Sequence, residues 1–206
     1  MDPMEFGLGD FHFSWGDHIC AIFETHAEQM GIMGSFMSAG IQAEQRCVWV
    51  APEDSANALR QTLADMGGDL PSLEASGQLL IISDIDFYLN EGVFDPDRTI
   101  GLISTLLQDN EREGYSTMRL GVDVSHHLSS ERVDPDAWER FERQLTYEIA
   151  PLPMVMVCQY DRRQVSGAMI VIAMRTHRIV ILGEDIHHNP FFVEATAPGG
   201  ARPEIV

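Results

Sequence analysis

Residues 16–29 read GDHICAIFETHAEQ. An apolar strand pattern, carried by Ile19, Ala21, Ile22 and Phe23, runs directly into a helix opening. Domains that bind nucleotide phosphates at such a junction place glycines there for close backbone approach and a lysine for charge. Here residues 24–28 are Glu-Thr-His-Ala-Glu, with neither glycine nor lysine. Thr25 and Glu28 instead form a T-x-x-E capping box. The Thr25 hydroxyl is expected to accept from the Glu28 N–H, and the Glu28 carboxylate to return to the Thr25 N–H. The first turn then satisfies its own orphan donors, which a phosphate loop would leave to ligand oxygens. Glu24 and Glu28 also repel a triphosphate, so this corner is expected neither to bind nor to hydrolyse ATP.

The same strand-to-helix step recurs along the chain. Strand patterns occur at 18–23, 47–51, 79–83, 118–124, 154–160 and 178–182, several as nearly continuous apolar runs. Such runs suit strands buried on both faces of a parallel sheet. Helical spacing of apolar residues predicts helices over 26–41, 55–66, 97–113, 135–149 and 162–176. Their methionines, such as Met30, Met33 and Met37, read as core filling. The alternation predicts a doubly wound, mostly parallel α/β sheet with right-handed crossovers. One domain is expected over 14–193, after an N-terminal extension, 1–13, and before a Pro/Gly-rich flexible tail, 194–206. Residues 84–96, DIDFYLNEGVFDP, form the longest irregular insertion.

A net charge of −19, from 32 acidic and 13 basic residues, repels phosphate backbones and anionic lipid. Neither nucleic acid nor membrane is therefore an expected partner. No apolar run approaches the length of a membrane span, and the acidic start MDPMEFGLGD lacks a signal-peptide pattern. A cytoplasmic location is the expectation. The three cysteines, Cys20, Cys47 and Cys158, are odd in number and widely spaced, which argues against a disulfide framework.

GDHICAIFE, CVWVAPED, LNEGVFDPDR, MRLGVDVSHHL, VCQYDRR and HRIVILGEDIHHNPFF follow one another in order. Together they make the chain, from about residue 14 to 193, resemble the MEDS domain, a sensory domain of methanogen and methylotroph regulators. Phe23 stands where the resemblance leads one to expect tyrosine. The resemblance implies a degenerate RecA/KaiC-like fold without a functional P-loop. It also implies sensing of a small hydrocarbon derivative. MEDS domains often accompany a helix-turn-helix or a histidine kinase, and this chain has room for neither. It is therefore expected to act through a protein signalling partner, with homo-oligomerisation left open. In that fold Asp123 stands where RecA-like enzymes carry a magnesium-binding aspartate, a role without purpose once the phosphate loop is lost.

Ligands of open α/β sheets bind beyond the carboxyl ends of the strands. That rule selects Glu24 and Thr25 after the first strand, and Asp123, Ser125, His126 and His127 after the fourth. Gln159, Tyr160 and Asp161 follow the fifth, and His188 and Asn189 are placed to close the rim. Asp123, His126, Gln159 and Tyr160 are expected to converge on one cavity. Asp161 has a structural alternative, since DRRQ at 161–164 is a second capping box. His18 and Cys20 share one strand face, and a neighbouring fifth strand would bring Cys158 close. Thiolate and imidazole together suit zinc or copper(I). No C-x-x-C or H-x-x-x-H spacing supports such a site, so the expectation is no metal and no cofactor, with His18 a hydrogen-bonded strand-end residue. Catalytic signatures such as G-x-S-x-G or H-E-x-x-H are absent, and no enzyme activity is expected. Three readings follow: a non-catalytic sensor, a protein-binding scaffold or regulator with no small ligand, and a metal- or cofactor-binding protein using His18, Cys20 and Cys158.

Overall fold

The computed structural model describes residues 4–90, 93–129, 133–183 and 185–194. Most of the tail, 195–206, lies outside the described residues, as do residues 1–3 of the extension and 91–92 of the insertion. A hairpin of β1 (Met4–Glu5) and β2 (His12–Phe13) precedes β3 (His18–Phe23) and α1 (His26–Gln42). Next come β4 (Arg46–Ala51), α2 (Glu53–Asp65), α3 (Leu70–Ala75) and β5 (Leu79–Ser83). The insertion folds as α4 (Asp84–Tyr88) and a second hairpin, β6 (Leu89–Asn90) with β7 (Val93–Phe94). The chain continues through α5 (Pro96–Arg112), β8 (Met118–Asp123), α6 (Ser125–Leu128) and α7 (Pro135–Ile149). It ends with β9 (Met154–Asp161), α8 (Gly167–Thr176), β10 (Ile179–Leu182) and β11 (Asp185–His188).

Among the described residues the main sheet has seven strands in the order β11-β10-β3-β9-β8-β4-β5. Every pairing is parallel except β10 with β11. The first and fifth predicted strands, β3 and β9, are neighbours, with Cys20 opposite Cys158. Because successive side chains alternate, each central strand feeds two cores. Ile19, Ala21, Val155 and Val157 face α1 and α2, joined by Phe6 and Phe13 from the first hairpin. Cys20, Ile22, Met156, Cys158 and Tyr160 face the opposite core, with Trp138, Phe141 and Leu145 of α7 and Met169 and Ile172 of α8. Residues 4–13, expected to be an extension outside the domain, thus contribute to its core.

Side-chain caps explain where the helices begin. Thr25, Asp69, Asp95, Asp134 and Ser166 accept from the backbone N–H three residues on. Pro96 and Pro135 occupy first helical positions, where no N–H is required. One helix start differs from expectation by more than two residues. The pattern at 162–176 begins as a turn, and α8 starts at Gly167 behind Ser166. Thr25→Ala is expected to cost on the order of 1 kcal/mol in a urea melt, with the m-value unchanged. An unshifted midpoint would mean that the cap contributes nothing.

Candidate functional site

At the β3–α1 corner the backbone donors are already engaged. Thr25 Oγ1 accepts from the Glu28 N–H at 3.1 Å. Glu28 Oε2 accepts from the Glu24 N–H at 2.8 Å, one residue earlier than the capping-box pattern predicts. The Glu24 carboxylate pairs with Arg162 from beyond β9. Behind this corner, Gln29 reaches from α1 across the strand ends. Its Nε2 donates to Asp123 Oδ2 at 2.7 Å and lies 3.4 Å from Gln159 Oε1. Gln159 Nε2 donates back to the Gln29 carbonyl at 3.2 Å. Asp123 Oδ1 accepts from the Ser125 N–H, and Ser125 Oγ accepts from the Asp161 N–H at 2.7 Å. Burial pushes the Asp123 carboxyl up, while hydrogen bonds from Ser125 and Gln29 pull it down less strongly.

The expected convergence of Asp123, His126, Gln159 and Tyr160 does not occur. Asp123 and Gln159 point toward α1, whereas Tyr160, one residue on, points through the opposite face. His126 stands at the surface with Nδ1 2.8 Å from Oδ2 of the buried Asp84. Asp161 accepts from the Arg163 N–H, the Arg163 guanidinium and Gln164, which organises the turn before α8 rather than capping that helix. Asn189 is committed to backbone: its Nδ2 donates to the carbonyls of Met174 and His177, and its Oδ1 accepts from the Phe191 N–H. His188 is exposed on the edge strand β11.

A denser polar group lies between the sheet and helices α7 and α8. His18, Glu142, Cys158 and His177 are all buried, and each offers a ligand atom within 4.8 Å of the others. His18 Nε2 is 3.1 Å from Cys158 Sγ and 3.1 Å from His177 Nε2. Glu142 Oε2 lies 3.6 Å from His18 Nε2 and 3.5 Å from His177 Nε2. Tyr160 donates its hydroxyl to Glu142 Oε1 at 2.7 Å, while Glu142 Oε2 has no hydrogen-bond partner among the described residues. Burial drives every member toward its neutral form: Glu142 is pushed up to about 8 and His177 down to about 4. Burial also lowers His18 and raises Cys158. Cys20, opposite Cys158 in the sheet, lies outside this four-residue set.

The insertion closes over the same core with aromatic rings. Tyr88 stacks on His127 at 5.1 Å between centroids, and Trp138 lies 5.3 Å from Phe94 and 5.2 Å from Phe141. Among the described residues, Tyr88 OH and Trp138 Nε1 are buried there without a hydrogen-bond partner. Trp138 and Glu142 are one turn apart on α7, so the two polar groups share one helix.

The profile of the family described as MEDS, the methanogen/methylotroph, DcmR sensory domain, matches residues 17–178. The chain belongs to the MEDS family. No curated protein matches it. Its fold resembles the crystal structure of a KaiC-like protein from the hyperthermophilic archaeon Pyrococcus horikoshii OT3, with a TM-score of 0.61. That resemblance covers 88% of this chain and 80% of that one at 15% identity, and it establishes the RecA/KaiC-like fold alone. No helix among the described residues is long and apolar enough to cross a membrane.

Two members of the buried group in this MEDS domain escape a motif reading. Glu142 sits on the apolar face of α7 between Trp138 and Leu145, and a carboxylate on that stripe is a readable signal. His177 follows α8 and precedes β10, where only the folded chain brings it to His18. Gln29 carries no signal, since a glutamine in a first helical turn is ordinary.

Proposed function

We propose that this MEDS domain is a non-catalytic sensor that takes up a small organic molecule and signals through a protein partner. The observation that carries this reading is a pair of donors, Tyr88 OH and Trp138 Nε1, buried among aromatic rings and unpartnered among the described residues. Buried donors without acceptors cost free energy. A compound with a short apolar body and one acceptor, such as an alcohol, ether, carbonyl or alkyl halide, would satisfy them where those rings give way. The non-catalytic part of the reading rests on the cysteines. Burial raises all three thiols, Cys47 to about 12, which makes them poor nucleophiles.

A thermal-shift screen of one- to four-carbon alcohols, ketones, ethers and halides tests the reading. A ligand at a hundredfold its Kd stabilises the native state by about 2.7 kcal/mol. For a chain of this size that is a shift of several degrees. Tyr88→Phe and Trp138→Phe should fold and lose it. A shift that survives both substitutions would move the ligand elsewhere, and no shift across the panel would favour the second reading. That reading, a regulator that binds protein alone, draws on the strand-end corner, which Gln29, Asp123 and Gln159 fill with their own hydrogen bonds.

A further inference from the structure

We propose that His18, Cys158, His177 and Glu142 form a closed, four-coordinate site for a divalent transition-metal ion, zinc(II) first among them. The inference is independent of the small-molecule reading above.

The hydrogen bonds around the two imidazoles fix their tautomers. His177 Nδ1 lies 2.9 Å from the Ala173 carbonyl, which can only accept, so Nδ1 carries the proton. His18 Nδ1 lies 2.8 Å from Thr146 Oγ1. The one hydroxyl proton of Thr146 is directed to the carbonyl of Glu142 or of Thr176, at 2.8 and 3.1 Å. The hydroxyl therefore accepts from His18 Nδ1–H. Both Nε2 atoms are left as lone pairs that face each other at 3.1 Å, and that of His18 also faces the Cys158 thiol at 3.1 Å, whose proton a metal ion would displace. Glu142 Oε2, buried and without a hydrogen-bond partner among the described residues, faces the same point, because Tyr160 engages the other oxygen. Two opposed imidazole lone pairs and an orphaned carboxylate oxygen are acceptors in need of a cation.

The spacing fits a tetrahedral ion. Zinc bonds of about 2.0–2.1 Å to nitrogen and oxygen and about 2.3 Å to sulfur give tetrahedron edges of roughly 3.3–3.6 Å. Four of the six edges are 3.1, 3.1, 3.5 and 3.6 Å, and the two from Cys158 to His177 and to Glu142 lie within 4.8 Å. The charges also balance, since a thiolate and a carboxylate neutralise a dication in a fully buried setting. The Nδ1 bonds to Ala173 and Thr146 and the Tyr160 bond to Glu142 are the outer partners that orient metal ligands. Four protein ligands leave no open position, so the ion would bind the sheet to α7 and α8 rather than activate water.

The test uses the full chain, purified without a histidine tag and expressed with zinc supplied. Elemental analysis should find about one zinc per chain, and X-ray absorption at the zinc edge should report one sulfur among four neighbours. Cobalt(II) exchanged into chelator-treated protein should give a thiolate charge-transfer band and absorption of tetrahedral intensity. Cys158→Ser should lose the band, whereas Cys20→Ser and Cys47→Ser should keep it. Should Cys158→Ser fail to fold, the absorption spectrum of the unsubstituted protein decides. Well under one equivalent of metal, with no cobalt band, would show that the cluster shares protons instead and would overturn the proposal. An ion with no sulfur neighbour, or one retained in Cys158→Ser, would overturn this ligand set. A full equivalent of iron or copper in place of zinc, with the one-sulfur signature, would support the site and correct the metal.

Discussion

Arg119→Met is expected to destabilise the fold by about 3–5 kcal/mol, because it leaves several buried neutral acceptors without their donor. Arg119, the second residue of β8, rises into the core beneath α1 and is only 1% exposed. Its Nε donates to Gln45 Oε1 at 2.7 Å. Nη1 donates to the carbonyls of Phe36 and Phe6 at 2.8 and 3.2 Å, and Nη2 to the Glu5 carbonyl at 2.8 Å. The guanidinium carbon also lies 5.0 Å from the ring centres of both Phe13 and Phe36. Burial lowers its pKa to about 10, so the charge is kept at neutral pH. Methionine fills much of the volume but leaves buried acceptors unpaired, at about 1–3 kcal/mol each where water cannot reach them. Two of those acceptors belong to the first hairpin. Limited proteolysis should therefore cut within residues 4–13 of the variant before it cuts the parent. Arg119→Lys should recover less than half of the loss, because one ammonium cannot span the same fork. A loss below about 1 kcal/mol in urea melts would show that the network is ornamental to stability.

The second large effect belongs to the glycine that opens the GDHIC stretch. Gly16 has a φ of +88°, and its N–H donates to the Met154 carbonyl at 2.7 Å. A Cβ there would lie 2.1 Å from the Ala150 carbonyl oxygen, which is backbone and cannot swing aside. Gly114 supplies a matched control, since it has the same φ of +88° and a Cβ added there would meet nothing within 4 Å. Gly114→Ala should cost about 1 kcal/mol, from the left-handed backbone alone. Gly16→Ala should add the overpacking cost and total about 3 kcal/mol. Equal losses in the two variants would mean that the loop before β3 shifts freely away from the α7–β9 connection.

The sheet is legible in the sequence because its signals are local and strong. Continuous apolar runs mark β3, β5 and β9 to within a residue, and capped helices mark α1 and α7. The short pieces α3, α4 and α6 carry too few turns for a period to show, so they read as loop. The candidate site is legible only by position along the chain. Placing Tyr160 with Gln159 treats a strand end as a point, although adjacent side chains leave opposite faces. Cys20 and His18 share a face, but the residues that complete the cluster, Glu142 and His177, come from α7 and from beyond α8. Which helix covers which strand is decided by tertiary packing, and no spacing within one segment encodes it.

The strand order also sets a timetable for synthesis. β3 lies between β10 and β9, and both are made late. At roughly 5–20 residues per second, the ribosome needs on the order of ten seconds to travel from Phe23 to Met154. During that interval HICAIF has neither neighbour, while β4 and β5 can already pair with each other. The strand that ends at the central corner is thus an unshielded apolar edge for most of translation, and the nascent chain is most prone to aggregate before its last quarter emerges.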